Sequence, residues 1–151
     1  MSAHEGKTAA LSFSIQPPDF SGSHTWVAVG MLRTKSMEGT WDTADTTADS
    51  TPNSAKTVLA TRRSFSFSGD GVSYDDAIYN QRTLKNHFHN PGSVTGNRPE
   101  IWFKLAFASG ETYTGPFVIT TLSEDAPEAD VCTWSIAATS NGLVTYDDGV
   151  A

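Results

Sequence analysis

From Ile101 to Ala108 the chain alternates. Ile101, Phe103, Leu105 and Phe107 fall on one side, and Trp102, Lys104, Ala106 and Ala108 on the other. A period of two predicts a strand with one strongly apolar face. Ser109-Gly110-Glu111 supplies a turn, a second β-rich run extends from Thr112 to Leu122, and a third from Val131 to Ala138. Near the start, Leu11, Phe13 and Ile15 alternate with Ser12, Ser14 and Gln16. Pro17-Pro18 ends that strand, because proline donates no ladder hydrogen bond. Thr25 to Leu32 predicts another strand, and β character resumes from Val58 to Phe67, with Phe65 and Phe67 on one face. Ser68-Gly69-Asp70-Gly71 then reads as a hairpin turn, since Asp-Gly between apolar runs is a short-range hairpin signal.

The period changes once. Tyr74, Ala77, Ile78, Gln81, Leu84 and Phe88 share one stripe of a helical wheel, which predicts an amphipathic helix from about Asp76 to Phe88. Asp75 suits the N-cap, Lys85 and His87 the last turn, and Asn90-Pro91-Gly92 the stop. Residues 36–56 have neither period. Ser, Thr, Asp and Ala dominate them, Asp42, Asp45 and Asp49 recur, and Pro52 and Asn53 interrupt. A long loop is expected there, in which Trp41 either anchors an interface or folds back onto its own domain. The pattern amounts to about seven strands and one helix in a single domain over 1–151, with residues 1–9 as a flexible arm.

Composition narrows the class. A chain of 151 residues suits one domain and buries roughly 68–70% of its unfolded surface. Apolar residues make up 38% and charged ones 18%, a balance that favours strands and loops. The net charge of −7 argues against tight, phosphate-neutralising contact with nucleic acid, though not against a surface that DNA passes without sticking. Cys132 is the only cysteine, so no intramolecular disulfide can form. Its alternation with Trp134 and Ile136 places it as a small buried hydrophobe. Met1 to Thr8 lacks the apolar run of a signal peptide and no stretch is long enough to span a membrane, so a reducing cytoplasm is the expected site of folding.

A search for chemistry finds little. His87 and His89 lie two apart, but zinc needs a further ligand that the spacing does not supply, so solvated or capping histidines are expected. His4 falls in the arm and His24 in an early loop. Glu124, Asp125, Glu128 and Asp130, the looser set Asp42, Asp45 and Asp49, and Asp147-Asp148 all lack the alternating ligands and glycine of a calcium loop. No Gly-x-Ser-x-Gly elbow, basic neighbour for Cys132 or glycine-rich phosphate loop appears. Arg62-Arg63 is the only basic pair, too little for a nucleic-acid patch. The residues thus name no reaction, cofactor or metal. Two other readings fit the same residues: a β-sandwich carbohydrate-binding or adhesion module with Trp26, Trp41 and Trp102 as stacking platforms, and a small enzyme centred on His87 and His89.

Three pieces carry a resemblance. One is Ser64-Phe65-Ser66-Phe67-Ser68-Gly69-Asp70-Gly71 leading into the 75–88 helix. Another is Gly110-Glu111-Thr112-Tyr113-Thr114-Gly115-Pro116-Phe117-Val118-Ile119-Thr120. The last is the strand Cys132–Thr139 followed by Asn141-Gly142 and Leu143-Val144-Thr145-Tyr146. In their order and spacing, over about residues 58–146, the chain resembles the major tail tube proteins of long-tailed, non-contractile phages and of phage-derived gene transfer agents. The resemblance implies a mainly β fold, a β-sandwich or half-barrel with one flanking helix, shared with the tube protein of type VI secretion. It implies a structural, non-enzymatic subunit of a virion tail, assembled in the host cytoplasm without membrane insertion. It further implies hexameric rings that stack into a tube and conduct double-stranded DNA without binding it specifically. A tape-measure protein, a tail terminator and distal tail or baseplate proteins are the further partners implied. On this reading the arm, the 36–56 loop between rings and a 143–151 C-terminal arm supply assembly contacts: Lys7, Trp41, Asp42, Asp45, Asp49, Arg62, Arg63, Leu143 and Tyr146. Glu111, Glu124 and Asp125 are expected at the lumen or its rim.

Overall fold

Among the described residues, eight antiparallel strands build the protein: β1 (Ala10–Ser14), β2 (Val27–Val29), β3 (Leu32–Asp45), β4 (Val58–Val72), β5 (Glu100–Ala106), β6 (Thr112–Asp125), β7 (Thr133–Ser140) and β8 (Thr145–Asp147). Helix α1 (Gln81–His89) lies between β4 and β5. The computed structural model describes residues 9–46, 57–74 and 76–150. The strand order is β2-β1-β5-β6-β7-β4-β3, and β8 pairs with β6 beside this path.

β6 joins the two halves. Its first part pairs with β5, from Glu100↔Val118 to Ala106↔Thr112, and its second part with β7. The register shifts between Ile119 and Thr121, a bulge of the kind that bends a strand. The sheet folds over at this strand, so that the Phe67 ring of β4 meets Phe103 of β5 with centroids 5.4 Å apart. Ile101, Phe103 and Leu105 are fully buried between the halves, as their alternation predicts, with Trp134, Ile136 and Ala138 of β7 opposite. The architecture is the half-barrel with a flanking helix.

Four local expectations are corrected. The Ser68–Gly71 stretch is not a turn: β4 runs through it to Val72. Gly71 is there because Met31 crosses over it, and a Cβ would come within 2.4 Å of the Met31 carbonyl oxygen. Met31 itself takes a left-handed φ of 63°, which splits the expected 25–32 strand into β2 and the start of β3. Residues 36–45 are not an irregular loop but the outer part of β3, paired residue by residue with β4. The helix is also shorter than its stripe suggests. Ala77–Tyr79 forms a 3-10 turn, and Asn80, at φ 58°, separates it from α1. Asp75 lies outside the described residues.

Gln81 explains why that break is held in place. Its buried side chain accepts from the Tyr74 amide at 2.9 Å and donates to the Gly30 and Val72 carbonyls at 2.9 and 3.0 Å. One amide thus ties α1 to the end of β4 and to the corner between β2 and β3. Replacing it with leucine keeps the volume and strands these backbone groups, at about 1–3 kcal/mol for each buried orphan. Gln81→Leu is expected to destabilise the fold by about 2–4 kcal/mol in urea denaturation, with strand content unchanged.

Candidate assembly surfaces

β7 accompanies β4 only as far as Ser66, paired with Thr139. Beyond that rung β3 and β4 continue alone as a two-stranded ribbon. Every residue from Glu38 to Asp45 and from Val58 to Ser64 is exposed. An isolated hairpin is marginal in water, so this ribbon needs reinforcement. Arg63 supplies part of it, with its guanidinium 5.7 Å from the Trp41 ring centre and 5.4 Å from that of Phe65. It also donates to the Val144 carbonyl at 3.4 Å. Thr61 donates to the Asp42 carbonyl at 3.1 Å, and the Thr46 and Thr57 hydroxyls bond at 2.9 Å near the last described rung. Trp41 stays 56% exposed and Leu143 70%, and both border one recess with Arg63 and Val144.

Of the residues singled out as assembly contacts, the fold therefore brings Trp41, Arg63 and Leu143 together. Asp42 pairs in register with Arg62 on the same ribbon, and Asp45 ends β3 opposite Val58. Tyr146 sits elsewhere, on β8, where its hydroxyl donates to Glu111 at 3.0 Å. That carboxylate holds the phenol above its ordinary pKa. Lys7 and Asp49 lie outside the described residues.

The face of β6, β7, β4 and β3 that points away from the core has an unusual composition. Paired positions form rows across all four strands. Thr34, Asp70, Ser135 and Ser123 make one row, and Ser36, Ser68, Ala137 and Thr121 the next. Glu38, Ser66 and Thr139 follow. The face carries small hydroxylated side chains with scattered carboxylates and no aromatic ring, Arg33 borders its Asp70–Asp125 end, and a recess of about 300 Å³ lies over its middle rows. Asp70 Oδ1 is buried there without a hydrogen-bond partner among the described residues. The sequence signal was the alternation of Ser64, Ser66 and Ser68 against Phe65 and Phe67, but only the register turns it into a surface.

Of the three acidic residues expected at the lumen or its rim, Asp125 lies on this face, paired with Thr133. Glu124 points the other way, toward Lys85 at 3.4 Å, and Glu111 lies beside Tyr146. Both ends of the four-stranded unit are open. β3 has no neighbour beyond β4 among the described residues, and β5 stops opposite Val118, leaving the outer edge of Thr120–Asp125 unpaired.

The residues weighed for chemistry have structural partners. His87 is buried rather than solvated, and its Nε2 donates to the Glu100 carbonyl at 2.6 Å. His89 is exposed against Phe88. His24 packs between Phe20, Trp26 and Trp102, with Trp102 Nε1 donating to the Pro17 carbonyl at 2.8 Å, so two of the three tryptophans are engaged in packing. Cys132 is exposed rather than buried, because β7 begins one residue later and Cys132 belongs to the rim.

Burial lowers the His87 pKa. The unfolded chain then takes up this proton first as pH falls through about 6.5, so the contribution of neutral His87 is complete above that pH and declines below it. Stability measured by denaturation is expected to drop between pH 7.5 and 5.5, and more gently in His87→Asn.

An open half-barrel with two edges that no described strand pairs, and a projecting ribbon, defines a subunit built to join others. The chain matches the phage tail tube protein family over residues 4–146, and it belongs to that family. It is a structural component of a virion tail, not an enzyme. No curated protein matches it in sequence. Among solved structures, the tail of an empty gene transfer agent particle, refined with C6 symmetry, is 24% identical with a TM-score of 0.73, covering 96% of this chain and 99% of that one. The native gene transfer agent virion gives 22% identity and a TM-score of 0.72 over 96% and 99%. The SPP1 tail tube gives 12% and 0.65 over 97% and 80%. At these identities the likeness shows the shared fold.

Proposed function

We propose that six copies close into a ring and that rings stack into a tube through which double-stranded DNA passes. The observation that carries the ring is the four-stranded unit with one free edge on β3 and another on Thr120–Asp125 of β6. Joined edge to edge, these strands continue as a barrel and remove both aggregation-prone edges. Six units contribute twenty-four strands. At a spacing of ~4.8 Å and a tilt of about 40°, the backbone barrel is roughly 48 Å across, which leaves room for a duplex.

The hydroxyl rows face the lumen. Small side chains with scattered carboxylates repel phosphates and offer no basic cluster to hold them, so DNA slides without specific binding. The β3–β4 ribbon, the arm before Ala9 and the segment from Leu143 make contacts between neighbouring copies. A tape-measure protein, a terminator and distal tail proteins cap and measure the tube. Electron microscopy of the purified chain over a concentration series is expected to reveal rings or hollow, evenly striated tubes. A species that stays monomeric at every concentration, even when seeded with tail tips, sinks the assembly reading.

A further inference from the structure

The free edges of β3 and β6 each have two chemically distinct faces. On β3, Thr34, Ser36 and Glu38 belong to the hydroxyl face, and Lys35 and Met37 to the opposite one. On β6, Thr121, Ser123 and Asp125 belong to the hydroxyl face, and Leu122 and Glu124 to the opposite one. Met37 and Leu122 are half-buried at the margin of the core. Lys35 lies half-buried beside Met37, burial holds its pKa below the ordinary value, and it pairs with no carboxylate among the described residues. Glu124 binds its own Lys85 through Oε2 at 3.4 Å, yet its side chain is still 49% exposed. Arg33 lines the recess of Asp70 and Asp125 within its own copy.

Strands β6, β7, β4 and β3 alternate in direction, so in a ring β3 runs antiparallel to β6 of the next copy. A side-chain period of two keeps the hydroxyl faces continuous only in registers that differ by two residues. With no offset, Ser123 would face Thr34 of the next copy, because the two share a row. At ~3.3 Å per residue and ~4.8 Å between strands, an offset of two residues over the four strands tilts them by about 19°, four by about 35° and six by about 46°. Closed barrels take roughly 35–45°, which excludes the offset of two. The offset of six sets Glu38 directly against Asp125, two like charges in one rung. Offsets in the other sense run off the start of β3 at Leu32 and onto the part of β6 that β5 already covers.

We propose that neighbouring copies join in the four-residue register, with Ser36 opposite Asp125, Met37 opposite Glu124, Glu38 opposite Ser123 and Gly39 opposite Leu122, an assignment that rests on the tube reading above. Lys35 then stands diagonal to Glu124, within reach of a long side chain, and that carboxylate has a second oxygen to offer it. Leu122 meets the place where the Phe65 ring lies across Gly39, close enough to leave no room for a Cβ. One edge thus supplies a cation and the other an anion on the same face, and the register decides whether they meet.

Disulfide trapping reads the register directly. In a Cys132→Ser background, Ser123→Cys is combined in turn with Ser36→Cys, Glu38→Cys and Thr40→Cys, which lie opposite residue 123 at offsets of two, four and six. Side chains directly opposite have Cβ atoms about 4.5–5.5 Å apart, close to the separation a disulfide needs, and a slip of two residues takes them out of reach. Mild oxidation of assembled protein is expected to give a ladder up to the hexamer on a non-reducing gel for Glu38→Cys with Ser123→Cys, and monomers for the other two. Ser36→Cys with Asp125→Cys reports the same register at a second rung and should give the same ladder, even if the first pair fails to assemble. A ladder from either of the other pairs, or from no pair in well-formed tubes, overturns this register and leaves the tube reading intact. Wild-type protein that forms neither rings nor tubes overturns both.

Discussion

Excising residues 40–64 and joining Gly39 to Phe65 through an Asn-Gly turn is expected to abolish tube formation while leaving the half-barrel folded. Gly39 and Phe65 already face each other in the ladder, so a two-residue turn can close the hairpin at that rung. Everything removed is exposed or lies outside the described residues, and Met37, Phe65 and Phe67 remain. The internal losses are the Arg63 contacts with Trp41, Phe65 and Val144, which are surface interactions of about 1 kcal/mol or less. Thermal unfolding should therefore change little. Sedimentation and electron microscopy should find no particle longer than a ring. Tubes of normal striation from this variant would falsify the role given to the ribbon.

Phe103→Ala is expected to have the opposite profile. Phe103 is fully buried at the point where the two halves of the sheet meet, against Phe67 at 5.4 Å and Phe117 at 5.7 Å between ring centres. Truncating a buried phenylalanine costs about 3–5 kcal/mol, because the cavity left behind cannot collapse. That is a large share of the ~5–15 kcal/mol that holds a domain together. At about 2–4 °C per kcal/mol for a chain of this size, the melting temperature should fall by roughly 10 °C. Trp41→Ala, on the ribbon, should scarcely move it. Equal melting of Phe103→Ala and wild type would mean that the two halves do not pack across Phe103.

How much of this was legible in the sequence depended on what each strand is packed against. β5 has a buried face and an open one, so its alternation gave it away almost to the residue. β3 beyond Glu38 is buried on neither face, and its Ser, Thr and Asp carry no period that a search for apolar spacing can detect. Such a stretch reads as a loop for that reason. The glycines at 69 and 71 misled in the opposite sense. They look like a turn, but Gly71 accommodates the crossing of Met31 while the strand runs on. The helix stripe was sound, yet Asn80 in a left-handed conformation divides it, and a wheel cannot register a single backbone dihedral. Cys132 followed the alternation of Trp134 and Ile136 one step too far, past the start of the strand.

The candidate assembly surface was legible only in part, and for a related reason. Trp41 stands out as the odd residue of a polar stretch and Arg62-Arg63 as the only basic pair, and the cation–π contact of Trp41 with Arg63 follows once β3 and β4 are in register. Leu143 arrives from eighty residues away, which only the fold could supply. Glu111, Glu124 and Asp125 lie in three places, while Asp70, hidden in what looked like a turn, sits with Asp125 on the hydroxyl face.

Serine and threonine end one bond beyond Cβ, so the hydroxyl rows follow the pleat of the backbone with almost no freedom of their own. The contour of that face is set by strand geometry and does not change as side chains exchange rotamers. As the wall of the proposed bore it would work as a fixed gauge, its width the same for every segment of polymer that slides past. On that proposal each position there is unforgiving, since one long side chain at Ala137 would recur in every copy around the ring and project into the bore at a single level.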